Sequence, residues 1–215
     1  MAKKRGNLMP LGDKIRNFFR GPSLEDLIID LKMYTNEIAR TRDRYKQRAK
    51  NLYDQAKQCI INGDDARAKM YAKQYLNLDR TAYSLDMFVI SMQNLIFDLD
   101  NARSTEQIAL VLGKISKCLD KLNILKTRGV SKILGRVTRQ MGKIGISMQQ
   151  ITNQLTDYEP FNIEPVTSTD LDKVMDKMVS EVIAEGPAMG LPETKIAELE
   201  RKRQAFKSFG KEESK

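Results

Sequence analysis

The stretch 23-SLEDLIIDLKMYTNEIARTRDRYKQRAKNLYDQAKQCIINGDD-65 decides the fold, because from Ser23 to Ile61 it contains neither glycine nor proline. Ser23 is suited to cap a helix, and Glu25 and Asp26 follow where the helix dipole favours acid. Leu24, Leu31, Ile38, Tyr45, Leu52 and Cys59 recur by sevens. Ile28, Thr35, Ala49 and Ala56 hold the companion position, with Arg42 interrupting it. At 1.5 Å per residue such a run makes a rod of about 58 Å, which no compact globule of this size easily contains.

Asn62-Gly63-Asp64 then signals a turn, since glycine allows positive φ and Asn and Asp bond their own backbone. A second run without glycine or proline reaches Arg103. It places Tyr71, Leu78, Leu85, Met92 and Leu99 by sevens, with Thr81, Phe88, Leu95 and Ala102 beside them. Two long helices joined by so short a turn must run antiparallel and cover each other's stripes. The expectation is an all-α protein built on a long antiparallel helical hairpin, 23–103.

Composition agrees: among 215 residues there is no Trp, with seven Phe, seven Tyr and eleven Met, poor material for sheets. The formal charge of +9 is uneven. Residues 1–150 are strongly basic, whereas residues 151–215 carry 9 Lys and Arg against 13 Asp and Glu. A basic body attracts phosphate, on nucleic acid or anionic lipid, and an acidic tail can compete for that surface.

Residues 104–156 keep a helical pattern (Ile108, Leu112, Ile115, Leu119, Leu122). Gly113, Gly129, Gly135, Gly142 and Gly145 interrupt it and read as hinges between additional helices. Residues 157–168, with Pro160 and Pro165, read as a linker, after which Thr169 is positioned to cap a short acidic regulatory helix. That linker and helix occupy 157–190, and a C-terminal tail helix starting near Pro192 fills 191–215.

Ahead of the hairpin, residues 1–22 form a short amphipathic N-terminal helix by pattern. Leu8, Leu11, Ile15, Phe18 and Phe19 share an arc of roughly 100°. Lys3, Lys4, Arg5, Lys14, Arg16 and Arg20 surround them, and Gly21-Pro22 detaches the segment. In water so short a helix is marginal. On anionic lipid the apolar arc can sink to the acyl boundary while each basic residue adds about 1 kcal/mol. The competing expectation is docking on the chain's own hairpin, but the hairpin pairs its own stripes and leaves Phe18 and Phe19 no obvious internal partner.

Chemistry finds little support. The chain has no His, and Gly113-Lys114-Ile115-Ser116 fails as a phosphate loop because Ile108 and Ile115 stand where glycine and a hydroxyl are needed. Cys59 and Cys118 have no metal-site spacing, so no metal, cofactor or catalytic residue is expected. With no apolar run long enough to span a bilayer and no signal-peptide pattern, a cytoplasmic protein, peripheral on the cytosolic face of membranes, is expected.

This order of elements is similar to the ESCRT-III family, the charged multivesicular body protein-like chains of archaea and eukaryotes. Ala68-Lys69-Met70-Tyr71-Ala72-Lys73-Gln74-Tyr75-Leu76 and Ser104-Thr105-Glu106-Gln107-Ile108 resemble it most. The resemblance implies a subunit, not an enzyme, that polymerises with itself or sister subunits into membrane-bound filaments. These remodel, constrict or sever membranes in budding, vesicle formation and cytokinetic abscission. It implies closure when the acidic C-terminal part folds back, membrane insertion by Leu8, Leu11, Ile15, Phe18 and Phe19, and extraction by an AAA ATPase with an MIT domain. Of the family's helical MIT-binding pattern, Leu199, Lys202, Phe206 and Lys207 match, while Arg203 stands where Leu is expected and Ile196 where an acid is usual. Two alternatives stay open: a phage-shock or thylakoid-vesicle type coat protein, and a basic coiled-coil nucleic-acid-binding protein. The second lacks any recognisable nucleic-acid module.

Overall fold

The computed structural model describes residues 23–125, 127–162 and 165–212. Among them every regular element is helical. Helix α1 (Leu24–Asn62) opens on a capping box in which the Asp26 amide donates to Ser23 Oγ at 3.1 Å and the Ser23 amide donates to Asp26 Oδ2 at 2.7 Å. It closes on Gly63, whose φ of 79° belongs to the left-handed region, and the Asp64 amide donates back to the Cys59 carbonyl at 2.9 Å. Asp64 then caps α2 (Asp65–Asn101), accepting from the Arg67 amide. Two residues thus reverse the chain, as the Asn-Gly-Asp signal predicts.

The pairing register is marked by ion pairs across the hairpin. Asp86 of α2 accepts from Arg42 and, at 3.4 Å, from Lys46, while Lys32 meets Asp100 at 3.6 Å. Arg42, which interrupts the apolar stripe, is therefore an inter-helix contact: its hydrogen bond to Asp86 holds that carboxyl below the usual aspartate range.

The open end of the hairpin is filled by α3 (Thr105–Ile124) and α4 (Val130–Lys143). Leu31 and Ile38 of α1, Phe88, Met92 and Leu99 of α2, Leu112 and Leu119 of α3, and Val137 of α4 form its core. Phe88 sits edge-on between Tyr34 and Phe161, with ring centroids at 6.4 and 6.2 Å. Helix α5 (Met148–Thr152) and the 3-10 turn Asn153–Leu155 lie against α3.

Of the expected hinges, Gly129 and Gly145 lie in turns between helices, with φ of 85° and 74°, whereas Gly135 and Gly142 lie inside α4. Gly113 is not a hinge. It lies inside α3, where a Cβ would stand 2.5 Å from Ile151 Cδ1 and 2.7 Å from Leu155 Cδ1, so its missing side chain is what lets α5 approach. The start of the expected linker is likewise bound rather than loose: Phe161 is buried, Ser91 Oγ donates to the Pro160 carbonyl at 3.1 Å and Lys121 meets Glu159 at 2.8 Å.

Helices α6 (Ser168–Glu185) and α7 (Glu193–Glu212) complete the chain. Thr167, not Thr169, caps α6, because the partner required three positions on is Asp170, whose amide donates to Thr167 Oγ1. These two helices pack at the far end of the hairpin, building a second hydrophobic cluster distinct from the first.

Candidate functional site at the hairpin tip

At the tip the two long helices approach through small side chains. Ala56 of α1 and Ala68 and Ala72 of α2 are fully buried, with Ile60 beside them. In lower α2 these alanines, rather than the sevens-spaced Tyr71 and Leu78, take the buried positions. The small residues leave a shallow apolar floor, and Met175, Met178, Val179 and Val182 of α6 lie on it, all buried. The acidic helix therefore closes against the hairpin with its apolar side.

Charges flank that contact on both sides. Lys57 reaches Glu185 at 2.7 Å and Glu181 at 3.4 Å, and Arg80 meets Asp170 at 2.6 Å. Burial works against the Lys57 charge, yet the two glutamates hold its pKa above the ordinary lysine value. Hydrogen bonds from Thr167, with Arg80 adding to them, hold the Asp170 carboxyl below the ordinary aspartate value. These pairs put basic hairpin against acidic α6, the polarity the charge division implies.

The tail helix adds a second layer in the opposite sense. Lys202 of α7 donates to Asp65 at the start of α2, and Arg203 donates to Asp176 of α6, both at 3.0 Å. Gly186, at the end of α6, leaves little room for a side chain, since a Cβ there would stand 3.1 Å from the Val182 carbonyl oxygen and 3.2 Å from Ile196. Partly exposed pairs contribute only about 0.2–1 kcal/mol each, whereas a fully buried Met or Val contributes about 1.5–3 kcal/mol. The methionines and valines hold the clasp, and the charges fix its register.

The structure treats the residues singled out from sequence unequally. Leu8, Leu11, Ile15, Phe18, Phe19, Lys3, Lys4, Arg5, Lys14, Arg16 and Arg20 lie outside the described residues. In the tail, Leu199 is 1% exposed within the tip cluster and Lys202 is engaged by Asp65 and Glu198, so these two share one closed site. The side chains of Phe206 and Lys207 lie outside the described residues. Arg203, read only as a departure from the MIT-binding pattern, is a clasp residue.

One basic surface escaped sequence reading. Arg40, Arg44, Lys132 and Arg136 line an open groove of about 720 Å³ between α1 and α4, together with Met33 and Ile133. Arg136 is paired with Asp30 across it. The signal was present in α1, where Arg40, Arg44 and Arg48 recur by fours on one exposed side, but the contribution of α4 needed the fold.

Among the described residues no group of three His, Cys, Asp or Glu is placed to hold a metal ion, and no helix is long and apolar enough to cross a membrane. Cell division protein B of Sulfolobus acidocaldarius is 19% identical over 187 residues, which cover 87% of this chain and 67% of that protein. No solved structure matches the chain. The profile of the Snf7 family matches residues 27–199, a span that runs from the first turn of α1 through the buried Leu199. With nearly all of the hairpin, the helices packed at its open end and α6 inside that span, the chain belongs to the Snf7 family, the ESCRT-III proteins that its sequence resembles.

Proposed function

We propose that the protein is a filament-forming subunit that binds anionic membrane and constricts or severs it, and that the clasped arrangement is its closed state. The observation that carries this reading is α6 lying across the hairpin tip, bonded by charge on both flanks and separate from the main core. A removable cover of this kind suits a subunit whose hairpin must be exposed before it can stack on others. Leu8, Leu11, Ile15, Phe18 and Phe19 are the inserting face, with Lys3, Lys4, Arg5, Lys14, Arg16 and Arg20 on the headgroups. Arg40, Arg44 and Arg48, exposed on α1, offer a further basic surface.

The tail would be handed to an AAA ATPase with an MIT domain through Leu199, Lys202, Phe206 and Lys207. Since Leu199 is buried beneath the tip contacts, that hand-over requires the clasp to open first. The relative from Sulfolobus bears the name of a cell division protein, which favours constriction of a division neck as the process served.

The test is co-sedimentation with vesicles containing anionic lipid, followed by negative-stain microscopy. It compares the full chain with a chain ending at Pro165, which keeps the buried Phe161. The shortened chain is expected to pellet and polymerise at lower protein concentration. Phe18→Asp with Phe19→Asp should weaken vesicle binding and leave helicity intact. If neither chain pellets with lipid or forms filaments, the proposal is wrong.

A further inference from the structure

Helix α2 carries an apolar line that the described residues leave open. Tyr83, Ile90 and Phe97 recur by sevens, so they follow one side of the helix, and they are 63%, 47% and 69% exposed. Each stands two positions, about 200° around the helix, from the buried Leu85, Phe88 or Met92, and Leu99. The line therefore faces away from the core. From Thr81 to its end at Asn101 the helix bears three aspartates, Asp86, Asp98 and Asp100, and no Lys or Arg. Single exposed apolar residues are ordinary, but three large ones aligned over about 21 Å make a docking edge.

The groove between α1 and α4 has the opposite character. Helix α4 bears Lys132, Arg136, Arg139 and Lys143 and no acid. Arg40 and Arg44 of α1 stand across from it, with the exposed Met33 and the buried Ile133 as apolar ground. Asp30 and Glu37 also line the groove, and Asp30 is taken up by Arg136. Arg40, Arg44 and Lys132 have no acidic partner among the described residues. From Met33 to Arg44 the groove follows α1 for about 17 Å, close to the length of the α2 line.

We infer that the acid-bordered line on α2 of one copy seats in the basic α1–α4 groove of a second copy of this chain. Sign and length both match. The two surfaces cannot meet within one copy, because Ile133 and Val137 of α4 share a packed core with Phe88, Met92 and Leu99 of α2. The chain's own α6 is no substitute: it is already seated at the tip, and its acids would face three aspartates. Because the joined surfaces differ, each pair of copies keeps one free line and one free groove, and addition continues as an open chain. A helix edge of this length buries less than the about 1,200 Å² of a stable interface, so a single contact is weak and copies already held side by side join more readily. The contact deepens the filament reading above by naming the faces that meet; it does not rest on membrane binding.

The test is sedimentation velocity of the full chain without lipid, from about 1 μM to 1 mM. The average mass is expected to rise with concentration past the dimer. Tyr83→Lys with Phe97→Lys, and separately Arg40→Glu with Arg44→Glu, should each remain monomeric. An equal mixture of the two should form dimers and stop there, since the first variant keeps a working groove and the second a working line. All four positions are exposed, so unchanged thermal unfolding certifies each fold.

A chain that stays monomeric throughout overturns the inference, as does a mass that levels off at the dimer. Association that survives in either variant, or a mixture that stays monomeric, overturns it as well. On vesicles containing anionic lipid, Tyr83→Lys with Phe97→Lys should pellet like the unaltered chain yet form no filaments. Filaments from that variant overturn this contact and leave the membrane proposal standing. An unaltered chain that joins in solution by this pattern but never binds vesicles upholds the contact and sinks the membrane proposal instead.

Discussion

Met178 is fully buried between α6 and the alanine floor of the hairpin tip, and Met178→Ala is the sharpest probe of the clasp. Truncating a fully buried methionine costs about 2–5 kcal/mol, the higher values applying where the site cannot collapse around the gap. Here the floor is built of Ala56, Ala68 and Ala72 on two long helices that pair along their whole length, so collapse is restricted. A loss of about 3 kcal/mol multiplies the open population by about 100-fold, since each 1.4 kcal/mol is a factor of ten.

The tip cluster shares no buried residue with the core at the open end, so that loss falls on the α6 contact. Hydrogen exchange separates the two regions. Amides of residues 172–185 should accelerate by about the same 100-fold, while those of α3 hold their rates. Vesicle binding should rise in parallel. If α6 and α3 accelerate together, the clasp and the core open as one unit and the reasoning is refuted. Unchanged vesicle binding with a selectively loosened α6 would refute the closed-state reading alone.

Two further perturbations follow from the geometry. Gly113→Val should lower the melting temperature in thermal circular dichroism by an amount corresponding to about 1–3 kcal/mol, since its side chain must displace Ile151 and Leu155 from α3. Unaltered melting would show that α5 is not packed as described. Acidification should loosen the clasp. Asp170 is held below its ordinary value in the folded chain, so its contribution is complete above the unfolded carboxyl value near 3.8 and is lost as pH falls through the lowered folded value. Protection of the α6 amides, taken relative to the free-amide exchange rate at each pH, should therefore fall only at the acid end between pH 6 and pH 3, and less in Asp170→Asn, which has no carboxylate to protonate.

Much of this protein was legible from Ser23 onward. A run of 39 residues without a breaker, sevens-spaced apolar positions and an Asn-Gly-Asp stop leave few choices, because helix period, capping and turn chemistry are all local. Hence the hairpin, its turn and the start of α7 follow from the chain alone. So does the acid-bearing amphipathic character of α6, although its cap stands two residues before the one expected. The family's presence was visible in the same order of elements.

Gly113 shows what local reasoning misses. A glycine in a helical pattern reads as a hinge, yet its role depends on Ile151 and Leu155, which come from about forty residues downstream. Arg42 likewise breaks a stripe on paper and joins two helices in space. By itself, then, the sequence determined the elements and their order, since those depend on neighbours a few residues apart. Which faces end up covered was decided only by the tertiary structure. That Leu199 is buried at the tip while Met33 and Phe97 stand open depends on where helices distant in sequence meet, and no periodicity records that.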